Sequence, residues 1–162
     1  MNNRSPEPPS AHPPIPPSAD LPRSGRLLGI DWGEKRIGLA ISDPTQTLAQ
    51  PLDTLIRRAG RRFPMRALRD HIDAHQPVGI VIGLPLDPDG SEGVSARAAR
   101  DMGDQITTTT QLPAVYVDER MSTALVKQTV AELGGKTGGR ETELDQLAAT
   151  LVLQSYLDRR RT

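Results

Sequence analysis

Residues 27–43 read Leu27-Leu28-Gly29-Ile30-Asp31-Trp32-Gly33-Glu34-Lys35-Arg36-Ile37-Gly38-Leu39-Ala40-Ile41-Ser42-Asp43. Leu27, Leu28 and Ile30 form a short apolar run that stops at Asp31. A turn over residues 32–35, containing Gly33, leads into a second run at 37–41, which Asp43-Pro44 ends. Two brief apolar runs joined by a glycine-bearing turn predict paired strands. A weaker extended stretch over 47–55 completes a meander. The period then changes. Residues 64–75 read as a helix with Met65, Leu68 and Ile72 on one side, and Pro77 ends it. Residues 78–83 are a buried strand, and the loop 84–90 carries two prolines and an Asp-Gly turn. A weakly amphipathic helix is expected over 92–109, its end fraying at the threonines 107–110, and a strand over 114–117 stops at Asp118-Glu119. Two further helices are expected, about 122–133 and 143–159, joined by the glycine-rich 134–140. Strands alternating with helices imply a parallel sheet covered on both faces, to which the meander adds antiparallel strands. The fold class is therefore α/β, a mixed sheet with helices on both faces.

The 162 residues leave room for one domain of ordinary size. Eight of the fifteen prolines fall in the first 24 residues among Ser, Asn and Ala. Such a stretch buries too little to offset its ordering entropy, so residues 1–24 are expected to be a disordered tail and 25–162 the folded domain. The tail has no continuous apolar segment of the secretory kind. No apolar run approaches the roughly 18 residues of a membrane span, and a cytoplasmic location is expected. Twenty basic residues balance twenty acidic ones, and there is no cysteine. That excludes disulfides, thiolate metal sites and a cysteine nucleophile. Four aromatics are too few for extended base-stacking platforms.

Acids end two of the strongest strands: Asp31 after the first, and Asp118-Glu119 after the last. Sites in open α/β sheets form beyond the carboxyl ends of strands, although polar residues also simply resume there. A third acid, Asp145, falls on the terminal helix. Leu144, Leu147, Ala148, Leu151 and Val152 define the buried arc of that helix, and Asp145 lies within it, beside Ala149 and Tyr156. A lone charge in that position is expensive. Helix capping alone, with Thr142 as N-cap and Asp145 three residues on, is one account; capping together with a functional carboxylate is the other. Three carboxylates from three elements suit Mg²⁺ or Mn²⁺, which take hard oxygen ligands. Two such ions can activate water and stabilise the leaving oxygen of a phosphodiester.

The run 29–38 followed by Ala40-Ile41-Ser42-Asp43 resembles the opening motif of the YqgF family, Holliday-junction-resolvase-like proteins also described as pre-16S rRNA nucleases. Three more segments agree in order and spacing. They are Val81-Ile82-Gly83-Leu84-Pro85-Leu86 with Asp89-Gly90-Ser91, then Asp118-Glu119-Arg120-Met121-Ser122-Thr123, then Leu144-Asp145 with Ala148-Ala149 and residues 153–157. The resemblance covers about residues 26–157. It implies a ribonuclease-H-like fold and catalytic, metal-binding Asp31, Glu119 and Asp145, with Asp118 a further ligand candidate. It also implies Mg²⁺ or Mn²⁺, in a suspected two-metal site. The implied reaction is hydrolysis of structured nucleic acid, an rRNA precursor or branched DNA, by a monomer or homodimer. The family often has lysine just before the helix aspartate, where this chain has Glu141 and Glu143.

Arg36 follows the turn and is a candidate phosphate contact, as are Arg57, Arg58, Arg61 and Arg62, which with Arg66 and Arg69 form a run uninterrupted by acid. A solvated helix face explains such a run equally well. Two decoys fall away. Gly135-Lys136-Thr137 lacks the earlier glycine and preceding strand of a P-loop. His71 and His75, four apart, have Ile72 where a zinc protease needs glutamate, and read as surface residues. An actin-like ATPase needs a second domain that 162 residues cannot supply. A non-catalytic nucleic-acid-binding module would not need all three acids. If the arginine run contacts phosphates, binding weakens steeply with salt, and charge reversal at Arg61 and Arg62 flattens the slope of log affinity against log salt; an unchanged slope removes the segment from the interface.

Overall fold

A computed structural model describes residues 20–57, 63–119 and 141–161. Five strands form one sheet in the order β3-β2-β1-β4-β5. β1 (Leu27–Asp31), β2 (Arg36–Ser42) and β3 (Ala49–Ile56) are the antiparallel meander; β4 (Gly79–Leu84) and β5 (Ala114–Asp118) run parallel to β1. α1 (Met65–His75) and α2 (Val94–Thr110) cover one face, and the terminal α3 (Glu141–Arg160) lies across the other. The expected helix at 122–133 and loop at 134–140 lie outside the described residues.

Period-two alternation decides which side chain meets which helix. Leu28, Ile30, Ile37, Leu39, Ile41, Ile80 and Ile82 turn one way, onto Leu68 of α1 and Met102 and Ile106 of α2. Leu27, Ala40, Val81, Val115 and Val117 turn the other way, onto Ala149, Val152, Leu153 and Leu157 of α3. Edge strand β3 tolerates Pro51 beside a register shift at Leu39/Ala40, since proline removes a ladder donor that an edge can spare.

Three expectations need correction. The tail does not extend to residue 24: Leu21 is 2% exposed in the α3-side core, and Arg160 donates to the carbonyls of Leu21 and Pro22. Residues 1–19 lie outside the described residues. α2 continues through all four threonines and ends on Gln111 in the left-handed region (φ 60°), whose N–H returns to the Thr107 carbonyl. α3 starts at Glu141, so Thr142 lies within the helix and is not its N-cap.

α3 sits unusually close to β2. A Cβ built on Gly38 would lie 1.9 Å from the main-chain oxygen of Asp145, and one on Gly29 would lie 2.8 Å from Leu153 Cβ. The first is a hard clash with backbone, which cannot swing aside, whereas the Gly29 position meets the Ala149 carbonyl only at 3.1 Å. Gly38→Ala is therefore expected to cost at least about 3 kcal/mol in urea unfolding. Gly79→Ala, whose Cβ would meet the tips of Leu21 and Leu27, is expected to cost about 1 kcal/mol or less. Equal losses would contradict this packing.

Candidate active site

Asp31 ends β1 in a row that crosses four strands. Its register partners are Gly38 on β2 and Gly83 on β4, and Gly83 in turn pairs with Val117 on β5. The row faces α3, because Leu27 and Gly29 on the same side of β1 meet that helix. Asp31 is thus flanked on both sides by residues without side chains. The two flanks are filled by acids from elsewhere. On the β4 side, Glu119 stands two residues beyond Val117, and a Cβ built on Gly83 would lie 3.3 Å from its Oε1. On the β2 side, the Asp145 main chain rests on Gly38. Asp31, Glu119 and Asp145, far apart in sequence, gather at one end of one sheet face.

Their local positions have simple causes. Glu119 continues the β4–β5 ladder by one bond, its N–H donating to the Leu84 carbonyl. Asp145 heads the stripe of α3 that meets the sheet, with Ala149, Val152, Leu153 and Leu157 following it at helical spacing. That stripe differs from the expected arc: Leu144, Leu147, Ala148 and Leu151 are only partly buried, so Asp145 lies closer to the centre of the sheet-facing side than the wheel placed it.

The three carboxylates differ electrostatically. Asp31 Oδ1 is buried and meets no hydrogen-bond donor among the described residues. Glu119 is 9% exposed, and its desolvation raises its pKa from 4.5 to about 7. Asp145 Oδ2 accepts a charge-assisted bond from Arg36 Nε at 2.7 Å in a partly buried setting. As the side chains lie, no three acids or histidines among the described residues are close enough together to enclose an ion.

Arg36 therefore faces the site, but on a carboxylate. Asp118 does not join the three: Val117 meets α3, so strand alternation turns Asp118 to the other face, the side of Tyr116. Arg57 ends the meander, its N–H bonding the Lys35 carbonyl, while Arg58, Arg61 and Arg62 lie outside the described residues. His71 is no plain surface residue, since its Nε2 lies 2.7 Å from Asp53 Oδ2 and its ring stacks on His75. Sequence reading missed the part of Gly83, whose lack of a side chain gives Glu119 its place. Gly83 is the second glycine in register with Asp31, and that register comes from the pairing of β1 with β4.

This mixed five-stranded sheet, with acids at the ends of its first and last strands and on the terminal helix laid across them, is a ribonuclease-H-like α/β domain. It has the fold of the structure titled "T. thermophilus RuvC in complex with Holliday junction substrate", with a TM-score of 0.51 at 16% identity over 85% of this chain and 97% of that one. The chain belongs to the RuvX family, whose model, described as Holliday junction resolvase, matches residues 25–159. A protein of Paramagnetospirillum magneticum named "Putative pre-16S rRNA nuclease" is 39% identical over 88% of this chain and 91% of its own. One of the same name from Roseiflexus sp. is 36% identical over 85% and 96%.

The raised pKa of Glu119 has a measurable consequence. Below about 4.5 the group is protonated folded or unfolded; as pH rises toward 7 the unfolded chain ionises first, and the fold loses stability. Glu119→Gln removes that loss, so in EDTA it is expected to be more stable than wild type at pH 8, by up to about 3 kcal/mol. The advantage shrinks by pH 5. A variant less stable than wild type at pH 8 would contradict the assigned cause.

Proposed function

We propose that this chain is a divalent-metal-dependent endonuclease of the cytoplasm that hydrolyses phosphodiester bonds in structured RNA, processing the 5′ end of a 16S rRNA precursor. The observation that carries the reading is the gathering of Asp31, Glu119 and Asp145 around two glycines at the end of the sheet. The names of the relatives support the substrate.

The donor chemistry fits Mg²⁺ or Mn²⁺. Asp31 offers a buried oxygen with no donor among the described residues, Glu119 a desolvated carboxylate, and Asp145 a carboxylate already bound to a cationic group. These three residues would hold the metal, which when bound supplies an activated water and stabilisation of the leaving oxygen. The chain's own groups do the rest. Arg36 orients Asp145 and keeps a guanidinium at the edge where a phosphate arrives. Glu119, poised near 7, gives up its carboxyl proton when a cation takes its place. α3 covers the acids from one side and limits water there, which strengthens each charge interaction.

Branched DNA is the second reading, favoured by the description of the family. One experiment addresses both. Purified protein is incubated with precursor rRNA or a four-way DNA junction, in Mn²⁺ or EDTA, beside Asp31→Asn and Asp145→Asn. Cleavage of the rRNA in Mn²⁺ is expected, abolished by EDTA and reduced at least about 100-fold in each variant. Cleavage of the junction alone would move the assignment to DNA. Binding without cleavage of either would overturn the enzyme reading in favour of a binding module.

A further inference from the structure

Trp32 follows Asp31 directly, and strand alternation sends the two side chains to opposite faces of the sheet. The indole leans on the α1/α2 side of the core, together with Phe63. Both rings line a cleft of about 260 Å³ that also meets Ala98 and Met102 of α2. Its polar members are Arg57, at the end of the meander, and Asp101 and Gln105, one turn apart on the exposed side of α2. Drug-sized ligands occupy roughly 300–1,000 Å³, so this cleft suits a single planar group. Half of the chain's four aromatic residues are gathered in it.

We propose that this cleft receives one unpaired base of the substrate nucleic acid, next to the phosphate that the acids act on. The proposal rests on the nuclease reading of the Asp31 site and specifies its substrate further: a paired region interrupted by an unpaired base at the cut. A strand that crosses the end of β1 and presents a phosphate to Asp31 brings the neighbouring nucleotide over Trp32. The rings of Trp32 and Phe63 offer apolar π surface, which any base can meet. Gln105 can donate to or accept from the edge of the base, and Asp101 accepts from an exocyclic amino group but repels phosphate. That pair favours the base over its backbone as the occupant. Arg57 brings positive charge to the same cleft, matching the phosphate that follows the base. Four aromatics are too few for an extended base-stacking platform, and this cleft is a single local stacking site.

Trp32 is the chain's single tryptophan, so its fluorescence reports on this cleft alone. Two RNA hairpins, identical except for an unpaired adenosine in one and an abasic residue in the other, are titrated in EDTA. Fluorescence anisotropy of an end label reads total binding, and tryptophan emission reads the cleft. The adenosine hairpin is expected to bind about tenfold tighter and to quench Trp32, whereas the abasic one leaves the emission nearly unchanged. Phe63→Leu keeps apolar packing but loses the ring, and should bring the two affinities close together. Asp101→Ala, on the exposed side of α2, should narrow the gap without disturbing the core. Equal affinity with equal quenching would overturn the base site and leave the nuclease reading standing. Failure of folded protein to bind either hairpin would overturn both.

Discussion

The main-chain oxygen of Asp145 rests on β2 where only glycine leaves room. That contact sets the height of α3 above the sheet, and with it the depth at which the Asp145 carboxylate enters the site. A side chain at Gly38 would lift the start of the helix and carry Asp145 away from Asp31, its neighbour across the strand pair. Gly29 repeats the arrangement further along, beneath Leu153 and the Ala149 carbonyl. The stripe of glycine and alanine on this face is thus a bed for the helix, and the aliphatic residues of the opposite face carry the larger core under α1 and α2.

Packing of this kind places negative charge where water is scarce. Burial alone holds Glu119 toward its neutral form, Asp31 keeps a buried oxygen with no donor among the described residues, and Arg36 offsets the third acid. Burying carboxylates costs stability, and chains keep such arrangements chiefly at functional sites. The cost is tolerable because two large apolar clusters on either side of the sheet carry the fold.

Much of this was legible in the sequence. Short apolar runs ending at Asp31 and at Asp118-Glu119 gave the strands and the meander, and the family motifs pointed to Asp31, Glu119 and Asp145. The misreadings came from contacts between segments distant in sequence. Leu21 was assigned to a tail because its proline-rich surroundings hide its docking beneath Arg160. The wheel of α3 centred its buried arc on Leu144, Leu147 and Leu151, whereas Ala149, Val152, Leu153 and Leu157 are the residues that meet the sheet. Asp118 stood beside Glu119 as a further ligand candidate, and strand parity turns only Glu119 toward α3. The pairing of Arg36 with Asp145 joins residues 109 positions apart, a distance no local pattern spans.

The central claim is that Asp31, Glu119 and Asp145 form one cation-binding centre. Crystals of the wild-type protein grown with Mn²⁺, with anomalous diffraction collected at the manganese edge, test it most directly. The account predicts anomalous peaks bounded by oxygens of Asp31, Glu119 and Asp145, with Asp118 outside their coordination. Manganese bound only elsewhere, or a centre built on Asp118 without Asp145, would contradict it.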